Sequence, residues 1–357
     1  MRAYVLYIIL IIIGIQVNAQ LVFYDAKEYP LLGKISPDTE TRYERLPANL
    51  KDISRPPIWK LGKQTAGLAV RFRSNSTRIA ARWDLLYDKV MNHMAFTGIK
   101  GLDLYAFENN KWEPVKPARP TGKSNEFVII SNMESKMREY MLYLPLYDGV
   151  VKLEIGIDSL SVIDQPAINL PDRDRPIIYY GGSGTQGACA SRPGMVHTSI
   201  LSRWLNKEFI NLGFSGQNKL DGEIAELISM RDDASLIVLD CLGNNTYQEI
   251  IEKLGNFYRI IRNKLPEVPI IFIDRGYATP LFDLKSKNSY IEKNKALGEV
   301  FNSLIKSGEE NIIHIHSQGA IGTDHDEPRV DGSHFSDLGF MRYAEYLLPI
   351  LDYFDEN

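Results

Sequence analysis

The residues able to do chemistry fall in four short blocks of the C-terminal half. Gly181-Gly182-Ser183-Gly184-Thr185-Gln186-Gly187 follows the apolar run Pro176–Tyr180. Glycines around one hydroxyl let the chain turn sharply from strand to helix and present Ser183 where backbone amides can point at an anion. A phosphate-binding loop is excluded, because the Lys and Ser/Thr of a Walker motif are missing. Gly182, Gly184 and Gly187 have the spacing of a dinucleotide fingerprint, but no acidic residue ends the next strand. That strand ends in Asn211-Leu212-Gly213-Phe214-Ser215-Gly216, and the one after it in Asp240-Cys241-Leu242-Gly243-Asn244. Asp331-Gly332-Ser333-His334 stands just ahead of a last helical stretch.

The elements that must position these blocks alternate. Pro176–Tyr180, Phe209–Leu212, Ser235–Cys241, Val268–Asp274 and Asn311–His316 read as buried strands. Helical stretches lie around Val196–Leu205, Asp221–Met230, Gln248–Lys264, Ser289–Ile305 and Phe335–Phe354. Such alternation implies a parallel sheet covered on both faces, here in the flavodoxin-like order 2-1-3-4-5, with ligands at the carboxyl ends of the strands. Upstream, Pro166, Pro171 and Pro176 bracket a polar linker, and before it the pattern has period two. Leu68–Phe72 and Arg78–Trp83 flank Ser74-Asn75-Ser76 and read as a hairpin. Leu102–Phe107 and Trp112–Val115 flank Glu108-Asn109-Asn110, while Tyr140–Tyr147 and Val150–Ile157 flank Asp148-Gly149. Short strands at this spacing argue for an antiparallel β-sandwich of the jelly-roll kind.

The chain has 357 residues, 44% hydrophobic and 24% charged, which excludes a disordered, collagen-like or multi-span membrane protein. A net charge of −4 offers no basic face for nucleic acid. Arg2, the twelve-residue apolar run Tyr4–Ile15 and Val17-Asn18-Ala19 form a signal-peptide pattern cut after Ala19. The run is short for roughly 30 Å of hydrocarbon, so the expectation is a secreted or periplasmic protein with no stable membrane anchor. The expected division is 1–19 signal peptide, 20–170 β-sandwich and 171–357 catalytic unit.

The four blocks, in this order, resemble the SGNH (GDSL-like) hydrolases. The resemblance implies Ser183 as nucleophile, Gly216 and Asn244 as further oxyanion contributors, and Asp331 with His334 as the family's Asp-x-x-His pair. Gly187–Gly194, with Cys189 and Ser191-Arg192-Pro193, is similar to one secreted bacterial subgroup with a Gly-x-Asp-Leu-Tyr motif in a preceding β-domain. Gly101-Leu102-Asp103-Leu104-Tyr105 matches that motif. The first block departs from the family pattern in reading Gly-Gly-Ser-Gly, and the third ends Asn244-Asn245.

A serine hydroxyl needs an adjacent base near neutral pH. Of six histidines, His334 is preferred, because Asp331 three residues earlier can hold its second ring nitrogen. The reaction expected is removal of a small acyl group, an acetyl above all, from a carbohydrate ester through an acyl-enzyme, with no cofactor and no metal. Lipid ester or thioester hydrolysis, or carbohydrate binding without catalysis, are the alternatives. Arg192 and Arg275, just past strand ends, are candidate substrate contacts. His314 and His316 alternate on a strand and face one side, with no third metal ligand at useful spacing. His325 reads as a polar loop residue, and Asp103 and Tyr105 as structural. Whether Cys189 and Cys241 are bridged is left open, as is the oligomeric state.

Overall fold

The computed structural model describes residues 20–356 except Leu170 and Thr279. The expected signal peptide lies outside the described residues. Among the described residues no helix is long and apolar enough to cross a membrane.

The N-terminal part holds β1 (Leu21–Asp25), β2 (Leu31–Leu32), β3 (Ala69–Ser74), β4 (Ile79–Leu85), β5 (Leu102–Glu108), β6 (Lys111–Ala118), β7 (Ser124–Ile130), β8 (Arg138–Tyr143), β9 (Val150–Asp158) and β10 (Ile163–Asp164). One antiparallel sheet has the order β1-β9-β4-β7; the other has β10-β3-β8-β5-β6, with β2 beside β3. Alternate residues of the two sheets meet in one core, with Val70, Phe72, Leu104 and Leu142 from one side and Ala81, Trp83, Ile155 and Ile157 from the other. This is a sandwich packed face to face. Pro114 and Pro117 lack the amide a central strand needs, and β6 accordingly lies at a sheet edge.

One sequence expectation fails here. β3 and β4 do not form a hairpin: β3 pairs with β8 and β2, whereas β4 pairs with β9 and β7 in the opposite sheet. The turn residues between them instead lead the chain across the sandwich. Ser74 Oγ donates to Val162 O at 2.7 Å, and Asn75 Oδ1 accepts from Val162 N at 2.8 Å. The β5–β6 hairpin around Asn109-Asn110 does form, with both asparagines at positive φ.

Downstream, β11 (Asp172–Gly181), β12 (Lys207–Gly213), β13 (Leu236–Asp240), β14 (Ile270–Ile273) and β15 (Ile312–Ile315) form a parallel sheet of order β12-β11-β13-β14-β15. Its side chains divide by parity. Ile178, Tyr180, Ile237 and Leu239 face the helices Gly222–Ser229, Tyr247–Lys264 and Leu284–Lys306. Ile177, Tyr179, Leu236 and Val238 face His197–Leu205 and Asp337–Glu356. An α/β unit with a parallel five-stranded sheet therefore follows an antiparallel sandwich, as expected.

The two parts are joined through Arg45, which is 1% exposed. Its guanidinium donates to Leu61 O (2.8 Å), Gln64 O (2.9 Å), Asn211 O (3.1 Å) and Gly213 O (2.8 Å), tying the N-terminal part to the end of β12.

Candidate active site

The turn that carries Ser183 is shaped by contacts that exclude side chains. After β11, a Cβ at Gly182 would stand 2.6 Å from Asn244 Oδ1. The short helix Ser183–Gln186 ends at Gly187, whose φ of +104° is left-handed and whose Cβ would meet Val196 Cγ2 at 2.4 Å. Nothing lies within 4 Å of a Cβ at Gly184, so packing does not demand that glycine. Gln186 braces the turn: its Nε2 donates to Gln64 Oε1 (2.6 Å) and Leu146 O (3.1 Å), while its Oε1 accepts from Ser215 N at 2.9 Å.

The structure brings Ser183, His334 and Asp331 into one hydrogen-bonded line. His334 Nδ1 lies 2.7 Å from Asp331 Oδ2, and His334 Nε2 lies 2.9 Å from Ser183 Oγ. With Nδ1 donating to the carboxylate, Nε2 is left to accept the serine hydroxyl. Asp331 Oδ1 also accepts from the amides of Ser333 (3.0 Å) and His334 (2.8 Å), a local turn that holds the carboxylate beside its histidine. Partial burial works against its ionisation, but these amide and ring hydrogen bonds outweigh it and hold the carboxyl down at about 2.

Gly216 and Asn244 line the same cavity as Ser183 and His334, a space of about 370 Å³. Gly216 adopts a φ of +71°, the left-handed region that favours glycine. The loops carrying both residues are tied down. Arg55 donates to both carboxylate oxygens of Asp221 (2.7 and 2.9 Å) and to Gln217 Oε1 (2.7 Å). Asn245 Nδ2 donates to Cys241 O (2.7 Å) and Asn218 O (2.8 Å), and Lys219 Nζ donates to Asn244 O. Asn244 Oδ1 is itself buried without a hydrogen-bond partner.

The two candidate arginines part company. Arg275 lines the cavity together with Tyr277, Tyr290, His197, Asp240 and Tyr343. Arg192 does not, because its Nη1 donates to Asp103 Oδ2 at 2.7 Å and to the Tyr105 hydroxyl of the β-domain motif. A strand-end position suggested a place beside the substrate, whereas the side chain is held by a buried carboxylate. His325 is exposed, away from the cavity. Cys189 and Cys241 are free, buried thiols, and burial pushes Cys189 up to about 12.

Several residues of the site were not singled out from sequence. His93, from the N-terminal part, holds its ring 5.8 Å from that of His334, centroid to centroid. The inner wall is made by His197, which burial holds down at about 3, and by Asp240, which burial lifts to about 6 against the pull of Arg275 and Tyr277. His93, Cys189, Asp331 and His334 each offer one metal-ligand atom within 4.8 Å of the others, as do Asp274, His314 and His316. In the second group Asp274, just past the neighbouring strand, stands beside the two histidines in a way the sequence spacing did not reveal, and it accepts from His316 Nδ1 at 3.1 Å.

Residues 174–352 match the model of the GDSL-like lipase/acylhydrolase family, and residues 21–163 match the N-terminus of SGNH hydrolase-type esterases named for the GxDLY motif. No curated protein matches the chain. A solved structure from Bacteroides ovatus described as a GDSL-like lipase is 34% identical, with a TM-score of 0.87 over 94% of this chain and 98% of that one. The salicylyl-acyltransferase SsfX3 of a tetracycline biosynthetic pathway superposes with a TM-score of 0.70 at 17% identity, over 92% of this chain and 95% of that one. An active-site mutant of a family two carbohydrate esterase from Clostridium thermocellum does so at 0.59 and 10%, over 94% and 98%. With both parts of the chain matched in order and a serine, histidine and aspartate meeting at the strand ends, this chain belongs to the GDSL-like lipase/acylhydrolase family and is an SGNH-type ester hydrolase.

Proposed function

We propose that the protein is a secreted or periplasmic serine esterase that removes a small acyl group, acetyl above all, from a carbohydrate ester. The observation that carries this reading is the line from Asp331 Oδ2 through His334 to Ser183 Oγ, open to a cavity that Gly216 and Asn244 also line. Ser183 Oγ attacks the ester carbonyl while His334 Nε2 takes its proton, and Asp331 stabilises the imidazolium. The amides of Ser183 and Gly216 and the Asn244 side chain receive the charge on the carbonyl oxygen. His334 then returns the proton to the leaving alcohol. Water, deprotonated by the same histidine, releases the acid from the acyl-enzyme and restores Ser183. Neighbours of the same fold that are carbohydrate esterases support a sugar as the alcohol.

The test is a folded sample assayed with a chromogenic acetate ester and acetylated oligosaccharides, together with fluorophosphonate labelling mapped by mass spectrometry. The expected result is acetate release and a single adduct on Ser183. Absence of both, with circular dichroism unchanged, would falsify the reading. Faster cleavage of esters with eight or more acyl carbons than of acetate would replace it with a lipid esterase.

A further inference from the structure

Arg275 is the feature of the cavity that ester hydrolysis leaves unexplained. Its guanidinium carbon lies 5.4 Å from the Tyr277 ring centroid and 5.0 Å from that of Tyr290. Nε is buried with no hydrogen-bond partner, and among the described residues Arg275 makes no ion pair. Asp240 shares the cavity wall but stands beyond ion-pair distance and accepts instead from the Tyr277 hydroxyl at 3.4 Å. A second cation stands behind the first. Lys293 Nζ donates to Gly243 O at 3.1 Å and lies 5.7 Å from the same Tyr290 ring, also without an ion-pair partner among the described residues. Burial, then repulsion by Arg275 and Lys219, holds this ammonium down at about 8.

Two cations share one tyrosine ring with no carboxylate at ion-pair distance among the described residues, Asp240 acting on Arg275 only from further off, so an incoming anion would supply the close opposite charge that the wall lacks. We propose that Arg275 binds a carboxylate carried by the substrate, so that the ester hydrolysed belongs to an acidic molecule. This rests on the reading of the site as an esterase and adds to it the class of substrate. A guanidinium packed against two tyrosine rings at a cavity wall offers adjacent N–H groups in the fork that matches a planar carboxylate. Lys293 reinforces the positive field from behind Gly243 without entering the cavity. The carboxylate belongs either to the acyl group, as in a dicarboxylic half-ester, or to the alcohol, as in an acetylated uronic acid.

Two matched pairs separate these sources: 4-nitrophenyl hemisuccinate against 4-nitrophenyl acetate, and an O-acetylated methyl galacturonoside against the corresponding methyl galactoside. In at least one pair the acidic member should be favoured about tenfold or more in kcat/KM at low salt, with the preference shrinking as salt rises. Arg275→Gln should abolish that ratio, Arg275→Lys should retain part of it, and Lys293→Gln should reduce it. Ratios near unity in both pairs, or a ratio unchanged by Arg275→Gln, overturn the proposal and leave Arg275 as a wall for the two tyrosines. If none of the four esters is cleaved, the esterase reading is what fails. Calorimetric titration with succinate and galacturonate then decides the anion site: binding lost in Arg275→Gln supports it, and no binding to the parent protein overturns it.

Discussion

Asp103 Oδ2 accepts a 2.7 Å hydrogen bond from Arg192 Nη1, joining the β-sandwich to the loop that follows the Ser183 turn. The same oxygen accepts from Gly194 N at 2.9 Å, and the Arg203 guanidinium carbon lies 4.0 Å from the Tyr105 ring centroid. The motif Gly101-Leu102-Asp103-Leu104-Tyr105 works by strand alternation. Leu102 and Leu104 enter the sandwich core, while Asp103 and Tyr105 point the other way, onto the catalytic unit. Gly194 fits because a Cβ there would meet Tyr105 Cε2 at 2.4 Å.

Asp103 is 1% exposed, so removing it strands Arg192 against a buried wall. Asp103→Ala should cost about 3–5 kcal/mol in urea unfolding, with a drop in kcat as the 192–195 loop loosens. Arg192→Ala in the same background should recover part of the loss, since it removes the charge left stranded. A parent-like urea midpoint for Asp103→Ala would show that the clamp contributes nothing to folding.

Arg45 makes a similar prediction at the end of β12. Replacement by Met keeps much of the volume but leaves the carbonyls of Leu61, Gln64, Asn211 and Gly213 without their donor. The expected loss is about 3 kcal/mol or more. Arg45→Lys should rescue little of it, because one ammonium cannot span four acceptors. Equal stability of Arg45→Lys and the parent protein would sink this account.

The catalytic unit was legible because its signals are local. Short apolar runs such as Ile177–Tyr180 mark strands buried on both faces, and the Gly-Gly-Ser-Gly turn sits at the end of the first of them. Alternation of apolar with polar residues across Ala69–Ser74 and Ile79–Leu85 likewise showed one apolar face in each. It could not show that they face each other across a core rather than pair side by side, since both arrangements bury the same residues. Arg45, Arg55 and Lys219 were silent for a different reason. Their partners lie far away in sequence, and nothing in the pattern around a lone cation reveals which carbonyls it will meet.

Asp331 sets a pH dependence. Its carboxyl is held at about 2 against an ordinary value of 3.8, so the folded state binds this proton less readily than the unfolded chain. Its stabilising contribution is therefore complete above the unfolded value and is lost as pH falls through 3.8 toward 2. The difference in Tm between the parent and Asp331→Asn should be positive and flat at neutral pH, then close over that acid interval. A difference that widens on acidification would contradict the hydrogen-bonding account of this carboxylate.

The proposed triad of Ser183, His334 and Asp331 gives the sharpest expectation. Ser183→Ala should reduce turnover by roughly 10⁴–10⁶, and adding His334→Ala should cost little more, because a nucleophile and its base act as one unit. Asn244→Ala removes one proposed donor to the oxyanion and leaves Ser183 intact, so its loss should be about 10²–10³. Asp331→Asn should fall between, since the amide can hold the imidazole in the wrong tautomer. His325 is the control: it is exposed, and its neighbour Asp324 pairs with Arg342 at 2.7 Å rather than with the site. All variants are compared on one ester with folding checked by circular dichroism. If His325→Ala abolishes activity while Ser183→Ala retains most of it, the chemistry belongs to the 324–327 loop, and the hydrogen-bonded line at Ser183 has no part in turnover.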